Sequence, residues 1–268
     1  MIFTMYEENQ LLLKNHSPLK EAYQLVLKEK YEDDAEEATN YYIELMEKFC
    51  TKPIIKVLEI YPINEQSFQI SLRKAGYEVT SIALDMGINA FGGEQDGDHF
   101  IIGKDFQFPS LKNTFDAILI THGSFGKFVS SSKSKEFLNQ ISKYLEKKGL
   151  IVFEFWHLPG VEKGVTDEKG FKDWEKINST KDGSILRFTN SKLHLESSIL
   201  SVDVHYIIEK GKYIQKFNES HAWRMYTLSE IDLLLGNENL QLIKAFKFPT
   251  QEEPEFSSFR LISICEKP

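Results

Sequence analysis

Residues 54–84 read IIKVLEIYPINEQSFQISLRKAGYEVTSIAL, and this stretch decides the fold. Ile54 to Ile60 is an apolar run of strand length, preceded by the break Thr51-Lys52-Pro53. Asn64 is a candidate N-cap for a helix whose buried face is Phe68, Leu72 and Ala75. Gly76 closes that helix, since glycine takes up the positive φ of a helix end at low cost. Tyr77 to Leu84 then reads as a second strand.

The same rhythm continues downstream. A glycine-rich loop (Gly87, Gly92, Gly93, Gly97) leads to a short strand, Phe100 to Ile102. Asp116 to Thr121 reads as a buried strand, Lys133 to Lys147 as a helix closed by Gly149, and Leu150 to Phe155 as a further strand. Buried strands alternating with amphipathic helices specify an α/β fold with a doubly wound, mainly parallel sheet. After Phe155 the period changes to two. Val202, Val204, Tyr206 and Ile208 alternate within residues 184–218, and Lys210-Gly211 marks a hairpin turn, which predicts an antiparallel insertion. A helix at Ser229–Leu235 and strands at Leu240–Phe248 and Phe259–Glu266 complete the sheet. Upstream, Ser17-Pro18 starts one helix with Leu19, Ala22, Tyr23, Val26 and Leu27 at helical spacing. A second runs from about Asp33, with Tyr42, Leu45, Met46 and Phe49 on its apolar stripe. The predicted organisation is an N-terminal helical segment (1–50), an α/β domain (51–156 and 227–268) and the antiparallel insertion (157–226).

The totals exclude several classes. The 268 residues are 41% hydrophobic and 13% aromatic, enough for a sizeable core. No apolar run approaches the ~20 residues of a membrane span, and no signal-peptide pattern opens the chain. Cys50 and Cys265 are too few for a disulfide framework, which fits a cytoplasmic location. The net charge of −8 argues against nucleic-acid binding. Residues 1–50 hold eleven acids and five lysines, a block that reads as a solvated helical face. The seven histidines show no HxxxH or HExxH spacing and there is no CxxC, so no metal site is expected. Gly123-Ser124-Phe125-Gly126 has GSxG spacing and is not a GxSxG nucleophile elbow.

Lys56-Val57-Leu58-Glu59-Ile60, Lys74-Ala75-Gly76-Tyr77-Glu78-Val79-Thr80, Phe115-Asp116-Ala117-Ile118 and the passage Leu145–Glu154 fall in the order and spacing of a known family. Together they resemble the class I S-adenosylmethionine-dependent methyltransferases. Glu154-Phe155-Trp156-His157-Leu158-Pro159 and Glu219-Ser220-His221 through Tyr226-Thr227 are similar to the branch containing deoxysugar N,N-dimethyltransferases. The resemblance covers roughly residues 25–268. It implies a Rossmann-like seven-stranded mixed sheet ending in a hairpin, with the antiparallel insertion over the active site. It further implies S-adenosylmethionine as cofactor and a small-molecule acceptor, a sugar or nucleotide-sugar amine or hydroxyl.

In this family the donor is held by a glycine-rich turn after strand one, an acid ending strand two and an acid after strand three. This sequence departs at each place. The first turn reads Tyr61-Pro62-Ile63-Asn64-Glu65-Gln66-Ser67, without glycine. Ala83 stands where the ribose acid is expected, with Asp85 two residues on. Gly103-Lys104-Asp105 displaces the third acid by one. Two readings stay open. In one the site is rebuilt from Glu59, Tyr61, Asn64, Ser67, Asp85, Asp105 and Thr121. In the other the chain is a catalytically inactive methyltransferase-fold protein that binds a metabolite or a protein partner.

For the acceptor, the resemblance points to His221 as general base, with His122 as a second catalytic candidate. Trp156, His157, Arg224 and Tyr226 are the candidate substrate-binding residues. Each also has a plainer reading: a strand-end histidine with an ordinary hydrogen bond, an aromatic plug, or a surface ion pair. Lys127 stands where relatives carry Tyr or His. A homodimer remains open as the assembly.

Overall fold

The computed structural model describes residues 36–62, 67–84, 99–102, 110–164, 171–179 and 183–268. The predicted helix at 17–27 and the start of the second helix lie outside them, as do Asn64, Asp85, Asp105 and the loop glycines from Gly87 to Gly97. Helix α1 covers residues 36–49. There follow β1 (Lys56–Pro62), α2 (Gln69–Lys74), β2 (Glu78–Leu84), β3 (His99–Ile102) and β4 (Phe115–Ile120). A 3-10 turn, Ser124–Lys127, leads into α3 (Ser131–Tyr144), β5 (Leu145–Trp156) and α4 (Leu158–Gly164). Strands β6 (Phe171–Ser179), β7 (Gly183–His194), β8 (Ile199–Lys210) and β9 (Tyr213–Arg224) precede α5 (Leu228–Gly236), β10 (Gln241–Lys247) and β11 (Arg260–Glu266).

The main sheet has seven strands in the order β10-β11-β5-β4-β1-β2-β3. The five strands from β5 to β3 run parallel, while β10 and β11 pair antiparallel and close the sheet on β5. Strands β6 to β9 form a separate antiparallel sheet. Alternation along the strands sorts side chains to two faces. Leu58, Ile60, Ile118, Ile120, Ile151 and Phe153 pack with Phe137 and Ile141 of α3 and Ile231 and Leu235 of α5. Val57, Leu119, Val152 and Ile262 pack with Tyr42, Leu45 and Met46 of α1 and Leu72 of α2. Helices on both faces make the sheet doubly wound. Among the described residues no helix is long and apolar enough to cross a membrane.

Two local expectations need correction. Phe68 and Leu72 are buried, but Ala75 is exposed because α2 ends at Lys74 and Ala75 is only its cap. Helix α3 stops at Tyr144, and Leu145–Gly149 belongs to β5. Phe115 pairs with Leu145 but Ala117 pairs with Leu150, so the strand bulges there, with Lys148 at φ 60.

Helix α5 carries its own start signal. Thr227 accepts the Glu230 amide and Glu230 answers to the Thr227 amide at 2.7 Å, a capping box. Thr227→Ala should therefore cost about 1 kcal/mol of stability in urea denaturation. A loss below half of that would mean that the box contributes little.

Candidate functional site

The strands' register sets where a ligand can sit. Pro62 pairs with Leu84, and Leu84 with Ile102, so β1, β2 and β3 end in one row. The segments holding Asn64, Asp85 and Asp105 follow these three strand ends. In an open α/β sheet this carboxyl edge is where ligands bind.

At that edge the α1/α2 face turns from apolar to polar. Glu59 stands one alternation beyond Val57 and is fully buried. Its carboxylate accepts the Ser67 hydroxyl at 2.5 Å, the Phe68 amide at 2.5 Å and the Ser81 hydroxyl at 2.8 Å. Burial raises its pKa above the ordinary carboxylate value, and these three hydrogen bonds oppose the shift. Glu59 thus ties the end of β1 to the start of α2 and to β2. Ser67 in turn accepts the Gln69 amide at 3.1 Å, one residue before the Phe68 N-cap of α2. Tyr61 is buried beside Glu59, and burial raises its pKa. Thr121 is buried and its amide donates to the Ile60 carbonyl at 2.9 Å, which fixes β4 against β1.

Glu154 on β5 is the second buried acid, 2% exposed. It receives Arg260 Nη1 at 2.9 Å and the Tyr42 hydroxyl at 3.3 Å, and the nearby backbone amides of Gly123 and His122 favour its charged form. Burial raises its pKa, and Arg260 is the main opposing influence. His122 and Gly123 lie at φ 55 and φ 64, two consecutive residues with positive φ. The His122 ring packs on Phe68, centroids 4.9 Å apart. The sheet edge therefore reads Ser81, Glu59, His122, Glu154, Arg260 across β2, β1, the turn after β4, β5 and β11.

The turn after β4 also meets the antiparallel sheet. A side chain at Gly123 would come within 3.1 Å of Trp156 Nε1, and one at Gly126 within 3.1 Å of the Arg224 carbonyl and 3.4 Å of Trp223. These glycines let Trp156 and β9 close on the turn. Lys127 Nζ stands 3.7 Å from the Trp223 ring centroid, a cation–π contact. Trp156 packs edge-on against Phe259 at 5.3 Å, and Arg260 lies 5.4 Å over its ring. Along β9, Trp223 is 5.1 Å from the His221 ring. His221 Nε2 is 3.3 Å from Glu219, which also accepts the Tyr206 hydroxyl at 3.3 Å.

The other candidates are engaged elsewhere. His157 is buried, its Nδ1 3.0 Å from the Ser258 carbonyl, and burial lowers its pKa. The Tyr226 hydroxyl sits 2.7 Å from Ser134 in the core, and burial pushes its pKa up to about 12. Arg224 reaches Glu230 at 3.6 Å and lies 5.3 Å over the Tyr226 ring. Its Nε is buried without a hydrogen-bond partner among the described residues. Sequence reasoning missed Ser81, Phe68, Glu154, Arg260, Trp223 and Glu219 as site residues. An acid inside the apolar run Leu150–Trp156 was the available signal, since a buried carboxylate needs partners.

No protein-family profile matches the chain. A Bacillus subtilis (strain 168) protein named provisionally as a methyltransferase, YqeM, is 23% identical over 207 residues, covering 74% of this chain and 80% of that protein. An S-adenosylmethionine-dependent methyltransferase from Clostridium acetobutylicum ATCC 824 superposes with a TM-score of 0.71 at 13% identity, covering 93% of this chain and 99% of the other. DesVI of Streptomyces venezuelae gives 0.71 at 14% identity, covering 94% and 100%. CalS10 of Micromonospora echinaspora, an amino pentose methyltransferase solved with S-adenosylmethionine bound, gives 0.63 at 12% identity, covering 94% and 98%. The order of strands, the closing hairpin and the near-complete coverage agree: this chain has the fold of the S-adenosylmethionine-dependent methyltransferases.

Proposed function

We propose that the protein is an S-adenosylmethionine-dependent methyltransferase whose acceptor is a small molecule, a sugar or nucleotide-sugar carrying an amine or hydroxyl. The observation that carries this reading is the turn after β4. It joins the polar row at the sheet's carboxyl edge to the aromatic and histidine side chains of the antiparallel sheet. A donor on one side of that turn and an acceptor on the other is the geometry that in-line transfer needs. The amino-pentose acceptor in the name of CalS10 supports the choice of substrate class.

The residues fit such a donor on the side that is described. The strand ends converge on one row, and Glu59 draws the start of α2 and β2 onto the end of β1. When bound, the donor supplies a methyl carbon activated by its sulfonium. This chain's own work is positioning and proton removal. Asp85 and Asp105 hold the polar groups of the donor, and Trp156, Arg224 and Lys127 border the acceptor. His221 takes the acceptor proton at Nδ1, while Glu219 accepts a hydrogen bond from its Nε2–H and fixes the ring.

The test is transfer of a labelled methyl group to a panel of amino sugars and their nucleotide conjugates. The wild type should label at least one of them. His221→Ala should lower turnover about 100-fold or more, with donor binding intact. Normal turnover in that variant removes His221 from the mechanism. A second reading, a binding protein without catalysis, draws on the glycine-free turn and on the Phe68 amide already held by Glu59. Donor binding with no labelled acceptor would favour it.

A further inference from the structure

We propose that Glu154 is a positioning residue for the donor, acting through the His122–Gly123 turn and linking that turn to helix α1. This rests on the donor reading above. Two side-chain donors from distant parts of the chain meet on one buried carboxylate, the Tyr42 hydroxyl of α1 and Arg260 of β11; the His122–Gly123 turn lies beside it, its amides favouring the charged form and Gly123 packed on Trp156 of the same strand.

Stability alone is a poor account of that arrangement. Glu154 is buried while its partner Arg260 is 34% exposed, and a carboxylate taken out of water beside a partly solvated cation repays little of its desolvation cost. What the carboxylate does provide is shape. A non-glycine residue at φ 55 is strained and persists only where its surroundings over-determine it. Backbone amides presented at a turn can face an anion. Glu154 is the anion built into the chain. With the turn so held, the His122 ring is set on Phe68, whose amide is bound by Glu59. Gly123 is likewise set beneath Trp156. One carboxylate thus fixes the turn relative to the start of α2 on one side and to Trp156 on the other. Tyr42 extends the link to α1, so docking of α1 and the shape of the donor edge are coupled.

The experiment compares the wild type, Glu154→Gln and the double variant Glu154→Met/Arg260→Met. Each is titrated calorimetrically with S-adenosylhomocysteine, with melting temperatures and amide hydrogen exchange at His122 and Gly123 measured alongside. Glu154→Gln should weaken binding about tenfold and speed exchange at both amides. The double variant restores burial without charge. It should keep its melting temperature within a few degrees of wild type, yet lose at least as much affinity as Glu154→Gln. Wild-type affinity and exchange in a folded double variant would overturn the proposal and leave Glu154 a purely structural residue. If the double variant does not fold, unchanged affinity and exchange in Glu154→Gln overturn it equally. A wild type that gives no binding heat overturns the donor reading itself, and this proposal with it.

Discussion

Glu59→Ala should cost about 4 kcal/mol of stability, since three donors on the α1/α2 face would lose their acceptor and each buried orphan costs ~1–3 kcal/mol. The Phe68 amide and the Ser81 hydroxyl have little access to water, because Phe68 and Ser81 are themselves buried. Alanine also leaves a void at the end of β1. Urea denaturation reads the effect directly, and a loss below about 1 kcal/mol would show that the three donors find other partners. Glu59→Gln keeps an acceptor and should cost much less. The pH dependence has a definite sign. Burial raises the folded-state pKa of Glu59, so the folded state holds the proton more tightly than the unfolded chain. The stabilisation from that proton is fully present below the ordinary Glu value of ~4.3 and is lost as pH rises through the folded value. Glu154 is shifted the same way and contributes in the same sense. In Glu59→Gln the decline of stability with rising pH should be visibly shallower than in wild type.

Gly160→Ala should be nearly as damaging, at about 3 kcal/mol or more. A Cβ at this position in α4 would lie 2.0 Å from the Ser258 carbonyl oxygen, 2.5 Å from its carbon and 3.0 Å from Phe259 Cα. All three are backbone atoms, so no rotamer change relieves the overlap. The two segments are also strapped together, with the His157 amide donating to the Phe259 carbonyl at 3.0 Å and His157 Nδ1 meeting the Ser258 carbonyl at 3.0 Å. Pushing them apart loosens those bonds and the Trp156–Phe259 contact beside the site. The midpoint of urea unfolding should fall without a change in slope. A midpoint within error of wild type would mean that the backbone at 258–259 yields freely.

What is legible in the sequence and what is not differ in the range of the interactions. Strands such as Val57–Ile60, Ala117–Ile120 and Leu150–Phe155 announce themselves through apolar runs, and the hairpin of β8 and β9 through period-two alternation and Lys210-Gly211. These are local signals. Thr227 and Glu230 are equally local, yet Ser229 competes with Thr227 as a start signal, and a helix read from Ser229 begins one residue late. Glu59 is legible as a buried acid that needs partners because it interrupts an apolar strand, at the place the family resemblance marks. Glu154 interrupts its strand in the same way, but its partners Tyr42 and Arg260 lie over a hundred residues away on α1 and β11. No periodicity carries such a pairing. Tyr42 in particular reads as one more apolar position on a helical stripe, which its ring is, while its hydroxyl does something else. The pairing of His221 with Glu219 follows from strand alternation, since residues two apart share a face, but only β8 beside it brings in Tyr206.

Donor binding tests the central claim most directly. Calorimetric titration of the wild type with S-adenosylmethionine and S-adenosylhomocysteine should give dissociation constants in the micromolar range, and Asp85→Ala should weaken both. Absence of heat with either ligand at millimolar concentration would contradict the account, leaving a methyltransferase fold that has given up its donor.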